Sequence, residues 1–134
     1  RCAPHDFDHW ASLGNDGWAW ADVLPVYKAI EDYSGGESEL RGSGGILPVT
    51  ADYALAPIQQ SIIDAAVEEG LEHNPDYNGD HLDGVSQEQV TMQGGRRANT
   101  WTTYLKPVRD RVDVRTGCHV HSVIVEGAPP SAPG

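Results

Sequence analysis

Apolar and polar positions change period several times along the chain, and each change marks an element. Residues 1–20 set Phe7, Trp10, Leu13, Trp18 and Trp20 among Gly, Asn and Asp without a clear period. This reads as an ordered loop pinned by aromatics, with a helical turn over Asp6 to Leu13. From Asp22 to Glu31, Val23, Val26, Tyr27 and Ile30 share one helical face, with Asp22 as N-cap and Pro25 in the first turn. Residues 34–45 are rich in Gly and Ser and predict a flexible polar linker, followed by a short strand over Ile46-Leu47-Pro48-Val49. The strongest helix runs from Pro57 to Glu69. Pro57 stands at its first position, Ile58, Ile62, Ala65, Ala66 and Glu69 lie on one side, and Gly70 ends it.

Beyond it, Asn74-Pro75-Asp76-Tyr77-Asn78-Gly79-Asp80 is dense in turn residues. A strand is predicted over Gly84 to Met92, with Val85, Gln87, Gln89 and Thr91 on one face and Ser86, Glu88, Val90 and Met92 on the other. The two faces differ little in polarity, which suits a strand lining a cavity or touching the core in part. Gly94-Gly95 predicts a turn, Trp101 to Leu105 a helix stopped near Pro107, and Val112 to Thr116 and His119 to Val125 two short strands. No internal repeat is visible, and Ala128 to Gly134 has linker composition. The pattern is that of an α+β segment.

Composition narrows the functions open to it. A chain of 134 residues with 39% hydrophobic and 22% charged residues is of ordinary globular make-up and long enough for one domain. Its net charge of -11 opposes attraction to nucleic-acid backbones and to anionic lipid. No run of about 18 apolar residues occurs, so no transmembrane helix is expected. Cys2 and Cys118 form neither a zinc knuckle nor a disulfide framework, which favours a reducing, cytoplasmic compartment while leaving secretion open. The start at Arg1, with no signal-like segment behind it, and the Pro-rich end read as cuts inside a longer protein.

Several patterns imitate reactive sites and lack a necessary part. Gly42-Ser43-Gly44-Gly45 has neither the flanking strand and helix nor the Lys-Ser/Thr of a phosphate loop. Asp76, Asn78 and Asp80 begin like a calcium loop, but His81 replaces the turn glycine and Gln87 the bidentate Glu. His119 and His121 would share one strand face without a third zinc ligand, and His5 and His9, four residues apart, lack the acidic partner of a zinc protease. No Gly-x-Ser-x-Gly elbow appears. Residue chemistry alone reaches no activity.

A resemblance carries further. Arg1-Cys2-Ala3-Pro4-His5-Asp6-Phe7-Asp8-His9-Trp10, Leu13-Gly14-Asn15-Asp16-Gly17-Trp18 and Asp22-Val23-Leu24-Pro25 resemble successive blocks of the glucose-methanol-choline (GMC) oxidoreductases. In the same order follow Gly44 to Val49, Pro75-Asp76-Tyr77-Asn78-Gly79, Gly84-Val85, Gln89-Val90-Thr91, Gly95-Arg96-Arg97, Tyr104-Leu105-Lys106-Pro107 and Val114 to Val120. The likeness covers about residues 1–127 and departs at Cys2, where most members have Gly. It implies a fragment of a two-domain FAD oxidoreductase that oxidises a small alcohol by hydride transfer to flavin. Residues 1–20 would be a flavin-proximal loop, 21–111 part of a substrate domain built on an antiparallel sheet with helices, 112–127 strands returning to the FAD domain, and 128–134 a tail.

On the same resemblance, Val120 would meet the FAD adenine and Arg1, Cys2, Ala3 and Pro4 would pass near the flavin ring, while Gln89 and Thr91 are candidate substrate-cavity residues. The dinucleotide fingerprint would precede Arg1 and the catalytic histidine would follow Gly134, so no catalytic residue is assigned here and the partner is the remainder of the polypeptide. Two alternatives remain: a hydroxynitrile lyase of the same family, and a stand-alone binding or structural module.

Overall fold

The computed structural model describes residues 3–122. Helix α1 (Pro4–Ser12) starts where Pro4 needs no N–H partner, and Asp6 Oδ2 reaches back to accept the Ala3 N–H at 2.9 Å. Phe7, 3% exposed, holds this end together through ring contacts with Trp10, Trp20 and Tyr27 at 5.5, 5.6 and 5.9 Å. The aromatic-pinned loop is therefore largely helical. Helix α2 (Trp20–Ile30) begins earlier than expected. Ala19 is its N-cap, and Asp22 lies inside the first turn, where a carboxylate still favours the helix dipole.

Strands β1 (Glu31–Tyr33) and β2 (Leu47–Val49) pair in parallel, with Glu31 opposite Leu47 and Tyr33 opposite Val49. The chain between them is no flexible linker. Arg41, 2% exposed, is the largest fully buried side chain among the described residues. Gly42 and Gly45 lie so close to the end of α2 that a Cβ would overlap the Lys28 carbonyl at the first and the Ile30–Glu31 backbone at the second. A Gly- and Ser-rich composition here serves close approach of two backbones.

Helix α3 (Pro57–Glu68) matches its prediction closely. Gln59 Oε1 accepts the Ala56 N–H at 2.9 Å, and Gly70, at φ +96°, turns the chain out as the Leu71 N–H returns to the Ala66 carbonyl. Of that side, Ile58 and Ile62 are 68% and 62% exposed, and the half-buried positions of the helix are Ile63 and Ala66.

The strand predicted over 84–92 is not continuous. It makes an isolated parallel bridge from Val85 to His73 and an isolated antiparallel one from Val90 to Thr50. Gly84, at φ +120°, sits against the Glu72 carbonyl where the run begins, and residues 86–89 between the two bridges join no strand pair. Strands β3 (Met92–Gln93) and β4 (Arg96–Arg97) form a hairpin whose Gly94 and Gly95 both have positive φ, as a type I′ turn requires. Among the described residues the sheet structure is thus one parallel and one antiparallel pair, not a single antiparallel sheet.

Trp101–Leu105 is π-helical and passes directly into a 3₁₀ segment, Lys106–Arg111. Pro107 does not stop it, because it falls in the first turn of that segment, where its missing N–H is not needed. Residues 112–122 form no strand, and the strand expected to end at Val125 lies partly outside the described residues. The described interior is unusually polar. Ala3, Phe7 and Ala98 are its buried apolar residues, beside buried Glu31, Arg41, Asn74 and Thr103.

Candidate functional site

The interior is organised by Arg41. Its Nε and Nη2 donate to Glu31 Oε2 and Oε1 at 3.2 and 2.8 Å, a fork on a carboxylate, and the Gly42 N–H adds a third bond to Glu31 Oε2 at 2.9 Å. Nη1 donates to Asp76 Oδ1 at 2.6 Å and to Gln89 Oε1 at 2.9 Å, while the guanidinium carbon sits 3.7 Å from the Tyr33 ring centroid. Three separate segments, at residues 31–33, 76 and 89, meet on one cation. Burial, followed by the Asp76 carboxylate, holds the Tyr33 phenol above its usual pKa near 10, with Arg41 opposing.

Gln89 is fully engaged in this cluster. Beyond Arg41, its Oε1 accepts from Asn78 Nδ2 at 2.9 Å, its Nε2 donates to Asp76 Oδ1 at 2.7 Å, and its backbone N–H donates to Tyr77 Oη at 2.8 Å. The Asn74 turn next to it is equally fixed: Nδ2 donates to the His81 and Asp83 carbonyls at 3.1 and 2.9 Å. Above this floor opens a cleft of about 630 Å³, lined by Tyr53, Gln59, Glu88, Gln89, Val90, Thr91, Met92 and Arg97. Gln89 and Thr91 both line this cleft. Gln87, on the predicted same face, turns instead to the Tyr53 carbonyl at 2.7 Å.

The remaining candidates are dispersed. Ala3 is buried as the N-cap of α1, Pro4 is exposed at its first position, and Val120 is 74% exposed in a segment without strand pairing. Arg1 and Cys2 lie outside the described residues. The apolar cleft beside α1 and α2, about 320 Å³, is lined by Phe7, Trp18, Val23 and Tyr27 among others and by none of these residues. Asp76 is committed to Arg41 and Gln89, and Asp80 Oδ1 lies 3.0 Å from His81 Nδ1, so the calcium-like spacing holds no cation loop. The His119 and His121 rings stand 4.8 Å apart, and no group of three potential metal ligands occurs among the described residues. Arg41 and Glu31 were not singled out by sequence reasoning; the available signal was a lone arginine inside a Gly- and Ser-rich stretch.

Comparison with known proteins gives this architecture a family. The sequence family described as GMC oxidoreductase matches residues 1–134. An oxygen-dependent choline dehydrogenase of Rhizobium johnstonii is 40% identical over 124 residues, 91% of this chain and 23% of that protein. One from Brucella anthropi is 38% identical over 110 residues, covering 82% and 20%. Among solved structures, pyridoxine 4-oxidase from "Mesorbium loti" superposes with a TM-score of 0.74 at 32% identity, over 83% of this chain and 22% of that one. The chain spans about a fifth of the length of the curated relatives it matches. With its whole length inside the match, the chain belongs to the GMC oxidoreductases, a family of FAD-dependent enzymes.

Proposed function

We propose that this chain is a segment of an FAD-dependent oxidoreductase that oxidises a small alcohol by hydride transfer to flavin, and that it supplies substrate-side scaffold and no catalytic group. The observation that carries this reading is the inverted burial of the described residues. A cation with two carboxylates occupies the interior, while Trp18, Val26, Ile58, Ile62 and Leu71 are half exposed or more. Apolar surface on that scale is buried against further protein in a stable molecule. A stand-alone module would turn these faces inward.

Within this reading residues 21–111 belong to the substrate domain, 1–20 to a flavin-proximal loop, 112–127 to a segment returning to the FAD domain, which is not a strand over 112–122, and 128–134 to a tail. Arg1 to Pro4 and Val120 approach the cofactor, Thr91 lines the substrate cavity, and Gln89, its side chain held by Arg41, Asp76 and Asn78, forms part of the cavity floor. FAD supplies the hydride acceptor when bound. The described residues do not fit a flavin by themselves: Ala3 is covered, Val120 projects from an unpaired segment, and neither lines a cleft described above. No chemical step is assigned to them. No helix among the described residues is long and apolar enough to cross a membrane.

The named relatives act on choline and pyridoxine, both alcohols, which motivates the substrate class. The test is anaerobic mixing of the full-length flavoprotein with a panel of alcohols that includes these two. Bleaching of the flavin's visible band by one of them is the expected result. Bound flavin that no alcohol reduces, with release of cyanide from a cyanohydrin, would replace this reading with the lyase.

A further inference from the structure

Charge in this chain is segregated. Six of its nine Lys and Arg residues fall between positions 96 and 115, against two carboxylates there, although the whole carries a net charge of -11. Three of the six, Arg96, Arg97 and Lys106, line one cleft of about 410 Å³ between β2, the β3–β4 hairpin and the start of the 3₁₀ segment. No Asp or Glu lines it, and among the described residues none of the three cations forms an ion pair. All three are exposed. Ile46 and Pro48 form an apolar wall opposite them, and an apolar wall strengthens a field of one sign.

We propose that this cleft is an oxyanion site that takes a phosphate-sized dianion. The planar guanidinium of Arg96 supplies paired N–H donors matched to oxyanion geometry and the ammonium of Lys106 a point charge, while Arg97, the next residue of β4, projects to the other face of the hairpin and adds its charge from there. The hairpin sets the position of the two arginines, since Gln93 pairs with Arg96 and Met92 with Arg97. Lys106 is set by the change from π-helix to 3₁₀ at Leu105–Lys106. The Thr102 hydroxyl is already used at Asn99, so binding rests on the cations. The site is independent of the 630 Å³ cleft except at Arg97, which lines both.

The experiment is calorimetric titration of inorganic phosphate into the full-length protein, at fixed ionic strength set with chloride. We expect saturable binding that weakens about tenfold in Arg96→Gln and again in Lys106→Gln, one tenfold step being a change of about 1.4 kcal/mol. Lys106→Arg keeps the charge and retains binding. Raising chloride weakens binding, because exposed charges are screened. All three side chains are exposed, so these substitutions leave the fold intact, which their unchanged unfolding midpoint in chloride would verify. Absence of saturable phosphate binding overturns the proposal, as does binding that survives both substitutions. A carboxylate from elsewhere in the polypeptide seated on these cations would give the first of those results.

Discussion

Replacing Arg41 by methionine keeps most of the side-chain volume and removes the charge. The Glu31 side chain, 8% exposed, would then keep a negative charge without its guanidinium partner, while still accepting the Gly42 N–H, and Asp76, 28% exposed, would recover water. Breaking a buried pair by removing one partner costs about 3–5 kcal/mol, most of it the stranded charge. Loss of the Tyr33 stacking is a smaller part, since such contacts contribute about 0.5–2 kcal/mol. The double variant Glu31→Gln with Arg41→Met should lose less than the sum of the two single changes, because each single change strands a partner the other removes. The assay is urea unfolding of the full-length protein followed by tryptophan fluorescence, with Trp10, Trp18, Trp20 and Trp101 as reporters. A loss for Arg41→Met below about 1 kcal/mol would refute the reasoning, since surface ion pairs contribute no more than that.

Gly42→Ala should destabilise by about 1–3 kcal/mol, the range of overpacking, because its Cβ meets the Lys28 carbonyl and not a movable side chain; the same unfolding assay reads it. A histidine NMR titration should find His81 above the usual 6.5, chiefly through its hydrogen bond to Asp80, and Asp80→Asn should bring it back. The sign follows. His81 contributes stability below pH 6.5 that is lost as pH rises through its raised value, and Asp80, held below 3.8, contributes stability that is lost only as pH falls through its lowered value. Tyr33 keeps its proton longer when folded, so its contribution is complete below pH 10 and is lost as pH rises through the raised value; Tyr33→Phe should flatten stability against pH in that alkaline range.

What could be read in advance was local. Pro57 and Gly70 bound α3 through their own backbone preferences, and Gly94-Gly95 closes a hairpin by its own φ values, so both were legible. Asp22 looked like a cap because aspartate is a good one, yet the chain enters the helix at Ala19, where the Phe7 cluster places Trp20. The 34–45 segment was misread because the partners of Arg41 lie 10, 35 and 48 residues away, at Glu31, Asp76 and Gln89, and composition carries no such information. The weak polarity contrast over 84–92 was itself informative. Gln89 turned inward to a polar cluster and Glu88 lined the cleft, so neither face of that stretch is apolar. Apolar periodicity placed Ile58 and Ile62 on one face of α3, but it cannot say whether this chain or other protein covers that face.

The role proposed for this segment is in a flavin enzyme acting on alcohols. Its most direct test is anaerobic reduction of the full-length protein's bound flavin by a panel of alcohols containing choline and pyridoxine. Saturable bleaching of the flavin band by one of them is expected. A purified full-length protein that binds no FAD, or whose flavin stays oxidised with every alcohol, would contradict it.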